Sequence, residues 1–216
     1  EKNKSNIKKF KKKYSIPVYN SLEELFLNKK IDLIVISVET KKHFAIYKKI
    51  INQNIKIVII EKPLTDNINN SKEILKISRQ RKLLTYVNFQ RSFEPGFKIL
   101  KKNLDNCKYG NIKKTFFYYT KNIHELGCHS IDLILFLLGK PKTYSFIDNK
   151  KKNILFKYKK FNTYLLRSNS EELSLVIITD KYKITFADNE KIKIFSNINN
   201  NKKHRTITTY SKCNIE

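Results

Sequence analysis

Methionine and tryptophan are missing from all 216 residues, and glycine, proline and cysteine are scarce at four, four and three copies. A chain without methionine does not begin at a start codon, so this one reads as a fragment of a longer protein. The glycines stand at 96, 110, 127 and 139, which leaves no room for a G-x-G-x-x-G turn or a P-loop in the first 95 residues. Cys107, Cys128 and Cys213 are odd in number and widely spaced, with no C-x-x-C pair. That spacing argues against a disulfide framework or a cysteine zinc site and for a reduced, cytoplasmic setting. No apolar run reaches the roughly 18 residues of a membrane span. Glu1 to Lys13 is polar and lacks the apolar middle of a signal peptide.

Acidic residues are also few, 19 against 45 Lys and Arg, which leaves a formal charge of +26. A field of that size attracts phosphate backbones. The lysines, however, are spread along the whole chain with an excess of Asn and Ile, and arginine, the usual reader of bases, is rare. Lysine runs such as Lys8 to Lys13 and Lys150 to Lys160 therefore read as solvated faces, with no specific nucleic-acid partner expected.

What is present is an alternation of short apolar runs and amphipathic stretches. Residues 3–14 are a lysine-rich helix with Ile7, Phe10 and Tyr14 on one face. Ile16 to Tyr19 reads as a strand, and Ser21 with Glu24 as a capping box opening a helix through Leu27. The runs Ile31 to Val38, Ile55 to Ile60 and Leu83 to Phe89 read as strands, with helices at 42–52 and 70–81 between them. Such spacing predicts right-handed βαβ units in a parallel sheet buried on both faces. Beyond about residue 104 the pattern changes. A long strand at 111–120 precedes one helix, 125–138, stopped by Gly139 and Pro141. Strand-like runs follow at 143–147, 154–158, 163–166, 173–179, 183–186 and 192–195, with a turn at 188–190 and a polar loop at 197–203. The expected fold class is α/β: a truncated Rossmann-like parallel sheet over 1–103, then an α/β domain with a mostly antiparallel sheet over 104–216.

The chemistry-bearing residues gather at strand ends. Glu61 and Lys62 close the apolar run that ends at Pro63, and ligands of open α/β sheets bind at carboxyl ends of strands. Proline fixes its own φ and biases Lys62 to an extended conformation, which aims the ammonium group. His43 follows the strand 31–38 by the loop Glu39-Thr-Lys-Lys42, and Arg91 follows the strand ending at Phe89. Three neighbouring strand ends thus offer His43, Lys62 and Arg91 to one crevice. Downstream, Glu125, His129 and Asp132 are spaced by four and three residues, which places them on one helical face. A histidine among carboxylates serves as a proton shuttle or as a hydrogen-bonded core residue, and spacing alone leaves both open. Neither the histidines nor the cysteines make a metal-binding pattern, so no metal is expected. Cys128 and His129 are adjacent on a helix and point apart, which disfavours a nucleophile pair.

Five motifs occur in one order: Ile31-Asp-Leu-Ile-Val-Ile-Ser-Val38 with His43, Val58-Ile-Ile-Glu-Lys-Pro-Leu64, Asn88-Phe-Gln-Arg-Ser-Phe-Glu-Pro95, Tyr109-Gly-Asn-Ile112, and Leu126-Gly-Cys-His-Ser-Ile-Asp132 with Leu138-Gly139. In this register the chain, over about residues 5–145, resembles the Gfo/Idh/MocA family of NAD(P)-dependent oxidoreductases. The resemblance implies a Rossmann domain and a second domain whose sheet builds the substrate pocket and a homo-oligomer face. It implies Lys62 as the catalytic lysine and His129 as the acid/base or substrate-binding histidine. Cofactor contacts are implied at Thr40, His43, Glu61 and Lys62, with NAD or NADP as cofactor, and substrate contacts at Arg91, Glu125 and Asp132. Glu125 stands where many members carry aspartate. The segment between Thr120 and Glu125 is compact, as in some members that act on surface-polysaccharide sugars. A family member begins with a strand, a glycine-rich turn and a helix that hold the pyrophosphate, and Glu1 falls just after that point. The expected activity is hydride transfer at a secondary hydroxyl of a sugar, nucleotide sugar or cyclitol. The competing expectations are a catalytically inactive member or a basic nucleic-acid-binding protein.

Overall fold

A computed structural model describes residues 4–150, 152–169, 173–187, 191–196 and 204–208. The chain divides into two compact units, residues 1–88 and 89–216. The sequence reading put the boundary at 103/104. Contacts put it earlier because a 3₁₀ turn, Gln90–Phe93, and helix α5, Pro95–Asp105, both pack on the helix of the second unit.

The first unit opens with α1 (Lys4–Lys13) and α2 (Leu22–Asn28). Ser21 caps α2, its Oγ accepting from Glu24 N at 3.0 Å, while the Glu24 carboxylate accepts from Asn20 N at 2.7 Å. Strands β1 (Leu33–Ile36), β2 (Ile57–Ile60) and β3 (Leu84–Val87) pair in parallel in the order β1-β2-β3. Helices α3 (Thr40–Ile50) and α4 (Ile68–Arg81) make the crossovers. Two successive crossovers of one hand land on the same side of a sheet. Ile36, Val58 and Ile60 are accordingly buried against Tyr47, Ile50 and Ile74 in one core. The other face differs from the expectation of a sheet covered on both sides: Leu33, Val35, Leu84 and Tyr86 remain 46–53 % exposed. Ile16 to Tyr19 forms no strand. An extended segment becomes a strand only through a ladder with a neighbour, and no described strand pairs with it.

The second unit is built on an eight-stranded sheet, ordered β11-β10-β9-β8-β4-β7-β6-β5. In chain order the strands are β4 (Ile112–Tyr119), β5 (Thr143–Asp148), β6 (Asn153–Lys157), β7 (Asn162–Arg167), β8 (Ser174–Thr179), β9 (Tyr182–Ala187), β10 (Lys191–Ser196) and β11 (His204–Thr208). All pairings are antiparallel except β4 with β7. One face of the sheet carries Phe117, Leu165, Leu175, Ile177 and Ile184 into a core closed by α5 and α6 (Cys128–Leu138). The turn into β4 needs a left-handed residue. Gly110 supplies it at φ 82°, and a Cβ there would lie 1.8 Å from Asp180 Oδ1. Gly139, at φ 76°, ends α6 as the sequence suggested.

Three further sequence expectations change. Helix α5 was not foreseen, although Phe97, Leu100 and Leu104 repeat at helical spacing after Pro95. The helix expected at 125–138 is instead a π-helical turn, Ile123–Gly127, running into α6. Strand β11 was also missed. The expected turn at 188–190 and loop at 197–203 lie outside the described residues.

Candidate active site

In the first unit the three parallel strands end side by side, and their exits carry the candidate residues. Lys62 follows β2, the central strand, and is half-buried; the Lys62–Pro63 peptide is cis. Just before it, Glu61 is tied to both neighbouring strands. Its backbone N–H donates to Ile36 O at 2.9 Å, and its Oε1 accepts from Asn88 Nδ2 at 2.6 Å. Asn88, which ends the unit after β3, belongs to a quoted motif but received no role from the sequence. Its amide bond to Glu61 gives it one: it fixes the carboxylate beside Lys62. Thr40, half-buried, begins α3 directly after the β1 exit.

His43 does not project from that edge. It is 0 % exposed, with Nε2 3.0 Å from Val38 O and Nδ1 3.1 Å from Leu64 O. A neutral imidazole donates through one nitrogen only. One of these contacts is therefore its N–H bond, and the roles are set by the tautomer.

The second unit gathers its candidates where the π turn meets α6. Asn122 caps the turn, its Oδ1 accepting from Glu125 N at 2.8 Å. Leu126 N and Gly127 N both donate to Asn122 O at 3.2 Å, the wide hydrogen bonding of a π turn. Gly127 permits this turn to lie against β4, because a Cβ there would stand 2.9 Å from Ile123 Cγ1 and 3.1 Å from Tyr119 Cδ2. Glu125 stands on the π turn and is exposed, and His129 stands on α6 and is partly buried. The His129 ring meets Phe89 edge-on, with centroids 6.0 Å apart.

Asp132 accepts a hydrogen bond from Ser92 Oγ and so links α6 to the 3₁₀ turn at Gln90–Phe93. Burial raises its carboxyl pKa above the ordinary aspartate value, and the Ser92 hydroxyl offsets part of that rise. Protonation is then easier in the folded chain than in the unfolded one. Asp132 favours the folded state most at low pH, and that contribution is lost as pH rises through its folded-state pKa. Asp132→Asn keeps an acceptor for Ser92 and carries no charge. Its unfolding free energy relative to the wild type is expected to be higher at pH 7 than at pH 4, in paired denaturant titrations. An unchanged difference between the two pH values would show that burial of Asp132 has no energetic consequence.

Arg91 belongs to the second unit, where its guanidinium sits 5.7 Å from the centroid of Phe186 on β9. Among the described residues no cluster of three His, Cys, Asp or Glu side chains is placed to hold a metal. Cys107 and Cys128 stand outside any disulfide, and Cys128 Sγ donates to Glu125 O at 3.5 Å.

A family profile, described as an oxidoreductase family with an NAD-binding Rossmann fold, matches residues 1–89. Over those residues the chain matches the Gfo/Idh/MocA family. An uncharacterized oxidoreductase of Schizosaccharomyces pombe is 26 % identical over 145 residues, covering 59 % of this chain and 39 % of that relative. The chain thus spans about two fifths of the length of curated relatives that it matches. A dehydrogenase from Clostridium difficile superposes with a TM-score of 0.76 at 20 % identity, over 99 % of this chain and 74 % of that one. An Agrobacterium radiobacter oxidoreductase, solved with NAD+, L-tartaric acid and magnesium, gives 0.77 at 14 % identity over 98 % and 71 %. These two superpositions show a fold shared with both of those proteins. Within the matched segment, Glu61, Lys62 and Thr40 lie at the strand exits, and His43 is buried.

Proposed function

We propose that the whole protein is an NAD(P)-dependent oxidoreductase moving hydride to or from a secondary hydroxyl of a sugar, nucleotide sugar or cyclitol. The observation that carries this reading is Lys62, set at the exit of the central parallel strand and flanked by a Glu61 pinned to both neighbouring strands. The strand exits fit the nicotinamide end of a dinucleotide. Thr40, Glu61 and Lys62 are the residues to hold it, whereas no described glycine precedes residue 96 to cradle a pyrophosphate. Bound there, the nicotinamide supplies or accepts the hydride. The chain's own residues handle charge and protons. The Lys62 ammonium polarises the substrate oxygen, and His129 relays the hydroxyl proton. Asp132 and Arg91 shape the substrate side of the second unit. Turnover of NAD+ or NADP+ with a panel of nucleotide sugars, free sugars and inositols tests the reading. No turnover with any hydroxyl substrate by a protein that binds the cofactor would favour an inactive member.

The net charge of +26 has its own check. If the lysines are solvated faces, duplex DNA is expected to bind without sequence preference and to be released at physiological salt. Nanomolar affinity for a defined site at that salt would instead rank nucleic acid above hydride transfer. No helix among the described residues is long and apolar enough to cross a membrane.

Self-association through the second unit's sheet is part of the same reading. The face away from α5 and α6 carries Phe116, Tyr118, Tyr164, Leu166 and Val176, side by side in register and only partly buried. Phe116 and Tyr164 stack at 5.3 Å under the Lys114 ammonium. A second copy covers such a face with matching apolar surface. Sedimentation is expected to give a dimer for the wild type and a monomer for Phe116→Glu. A monomeric wild type at micromolar concentration would end the idea.

A further inference from the structure

We infer that His43 is a positioning residue that holds the Lys62 loop, and that it makes no contact with the cofactor. The inference rests on the proposed role of Lys62. His43 is the one histidine of the first unit, fully buried at the start of α3. Its two ring nitrogens face two carbonyls of different origin. Val38 O lies just past β1, and Leu64 O lies two residues beyond Lys62. The ring therefore lies between the exit of β1 and the far side of the loop leaving β2, hydrogen-bonded to one of the two carbonyls and packed against the other.

The near side of that loop is held separately. Glu61 N donates to Ile36 O, and Glu61 Oε1 accepts from Asn88 Nδ2. Beyond Leu64, the Thr65 hydroxyl donates to Asn67 O at 2.6 Å and lies 2.7 Å from Ser71 Oγ, which fastens the loop to the start of α4. Lys62 thus sits on a short segment fixed on both sides, and His43 is the side chain that fixes the second side to β1. With no exposed surface and each ring nitrogen facing a backbone carbonyl, the side chain offers no polar atom to a ligand. What it controls is where Lys62 stands. Displacement of a catalytic group by about 1 Å costs on the order of 10²-fold in rate.

The test pairs His43→Phe, which preserves a flat ring and removes both ring nitrogens, with His43→Gln, whose amide can donate to one of the two carbonyls. Hydrogen exchange followed by mass spectrometry reads the loop directly. Amides at 62–66 are expected to exchange faster in His43→Phe, and those of β1, β2 and β3 to keep their protection. In kinetics, kcat per folded molecule is expected to fall by on the order of 10²-fold, with NAD(P)H affinity unchanged and partial recovery in His43→Gln. Loss of cofactor affinity in step with kcat would overturn the inference and restore His43 as a cofactor contact. Unchanged exchange at 62–66 would overturn it as well, because the bridge would then hold nothing. Lys62→Ala in the same series separates the two readings. If that variant keeps full turnover while the loop loosens in His43→Phe, the proposed chemistry fails and the bridge stands.

Discussion

Lys62→Ala is expected to lower turnover by about 10²–10⁴-fold, the range typical of general acid–base groups. That corresponds to roughly 2.7–5.5 kcal/mol of transition-state stabilisation. The physical reason is local. Negative charge builds on the substrate oxygen as the hydroxyl proton is withdrawn, or as hydride adds to the carbonyl in the reverse direction, and a half-buried ammonium interacts with it far more strongly than it would in bulk water. His129→Ala is expected to fall in the same range, because the proton then needs another route. Both variants are expected to bind NAD(P)H as the wild type does, which fluorescence titration measures. Such a pattern, low kcat with intact cofactor binding, marks an interaction made in the transition state rather than in the ground state. Arg91→Ala belongs to a different class. With its guanidinium stacked over Phe186, its loss removes packing as well as charge, and substrate KM is expected to move more than kcat. Full activity of Lys62→Ala on the best substrate would remove the basis of the proposed function.

How much of this was legible in the sequence depends on whether a feature is local. The β1, β2 and β3 runs and the α3 and α4 crossovers were legible because apolar content and spacing report on one segment at a time. Ser21 and Glu24 were legible for the same reason, since a cap is made within four residues. Ile16 to Tyr19 was misread because its apolar residues say nothing about whether a neighbouring strand exists. Helix α5 was not foreseen, although Phe97, Leu100 and Leu104 carry the helical period after Pro95. The π turn at Ile123–Gly127 had no such signal. Its wider hydrogen bonding is decided by Asn122 and by the approach of Gly127 to Tyr119, which is tertiary information.

The same distinction applies to the site. Lys62 was identified from its own neighbours, and the structure places it at the exit of the central strand. The partners that hold these groups, Asn88 for Glu61, Ser92 for Asp132 and Leu64 for His43, are 27, 40 and 21 residues away in sequence. No motif spans those separations. His43 was drawn toward the cofactor because it follows a strand end. Only its burial and its two carbonyl neighbours show that the ring faces inward.

The second large effect is expected in the core that supports His129. Phe117 is fully buried on β4, registered between Leu165 on β7 and Leu175 on β8, in the same cluster as Leu133 and Ile134 of α6. Phe117→Ala is expected to cost about 3–5 kcal/mol, through lost transfer energy and the cavity left behind. Domains are stable by only about 5–15 kcal/mol, so the second unit is expected to unfold at markedly lower urea. Beside Phe117, β4 and β7 carry a polar pair, Thr115 Oγ1 donating to Thr163 Oγ1 at 2.7 Å in a fully buried position. Thr115→Val leaves the other hydroxyl without this partner, a loss of about 1–3 kcal/mol, whereas replacing both threonines by valine is close to neutral. The three variants therefore separate packing from hydrogen bonding on one pair of strands. The expected order of urea midpoints is wild type and double valine highest, Thr115→Val lower and Phe117→Ala lowest. A Phe117→Ala midpoint equal to the wild type would mean that this face of β4 is not the core on which α6 rests.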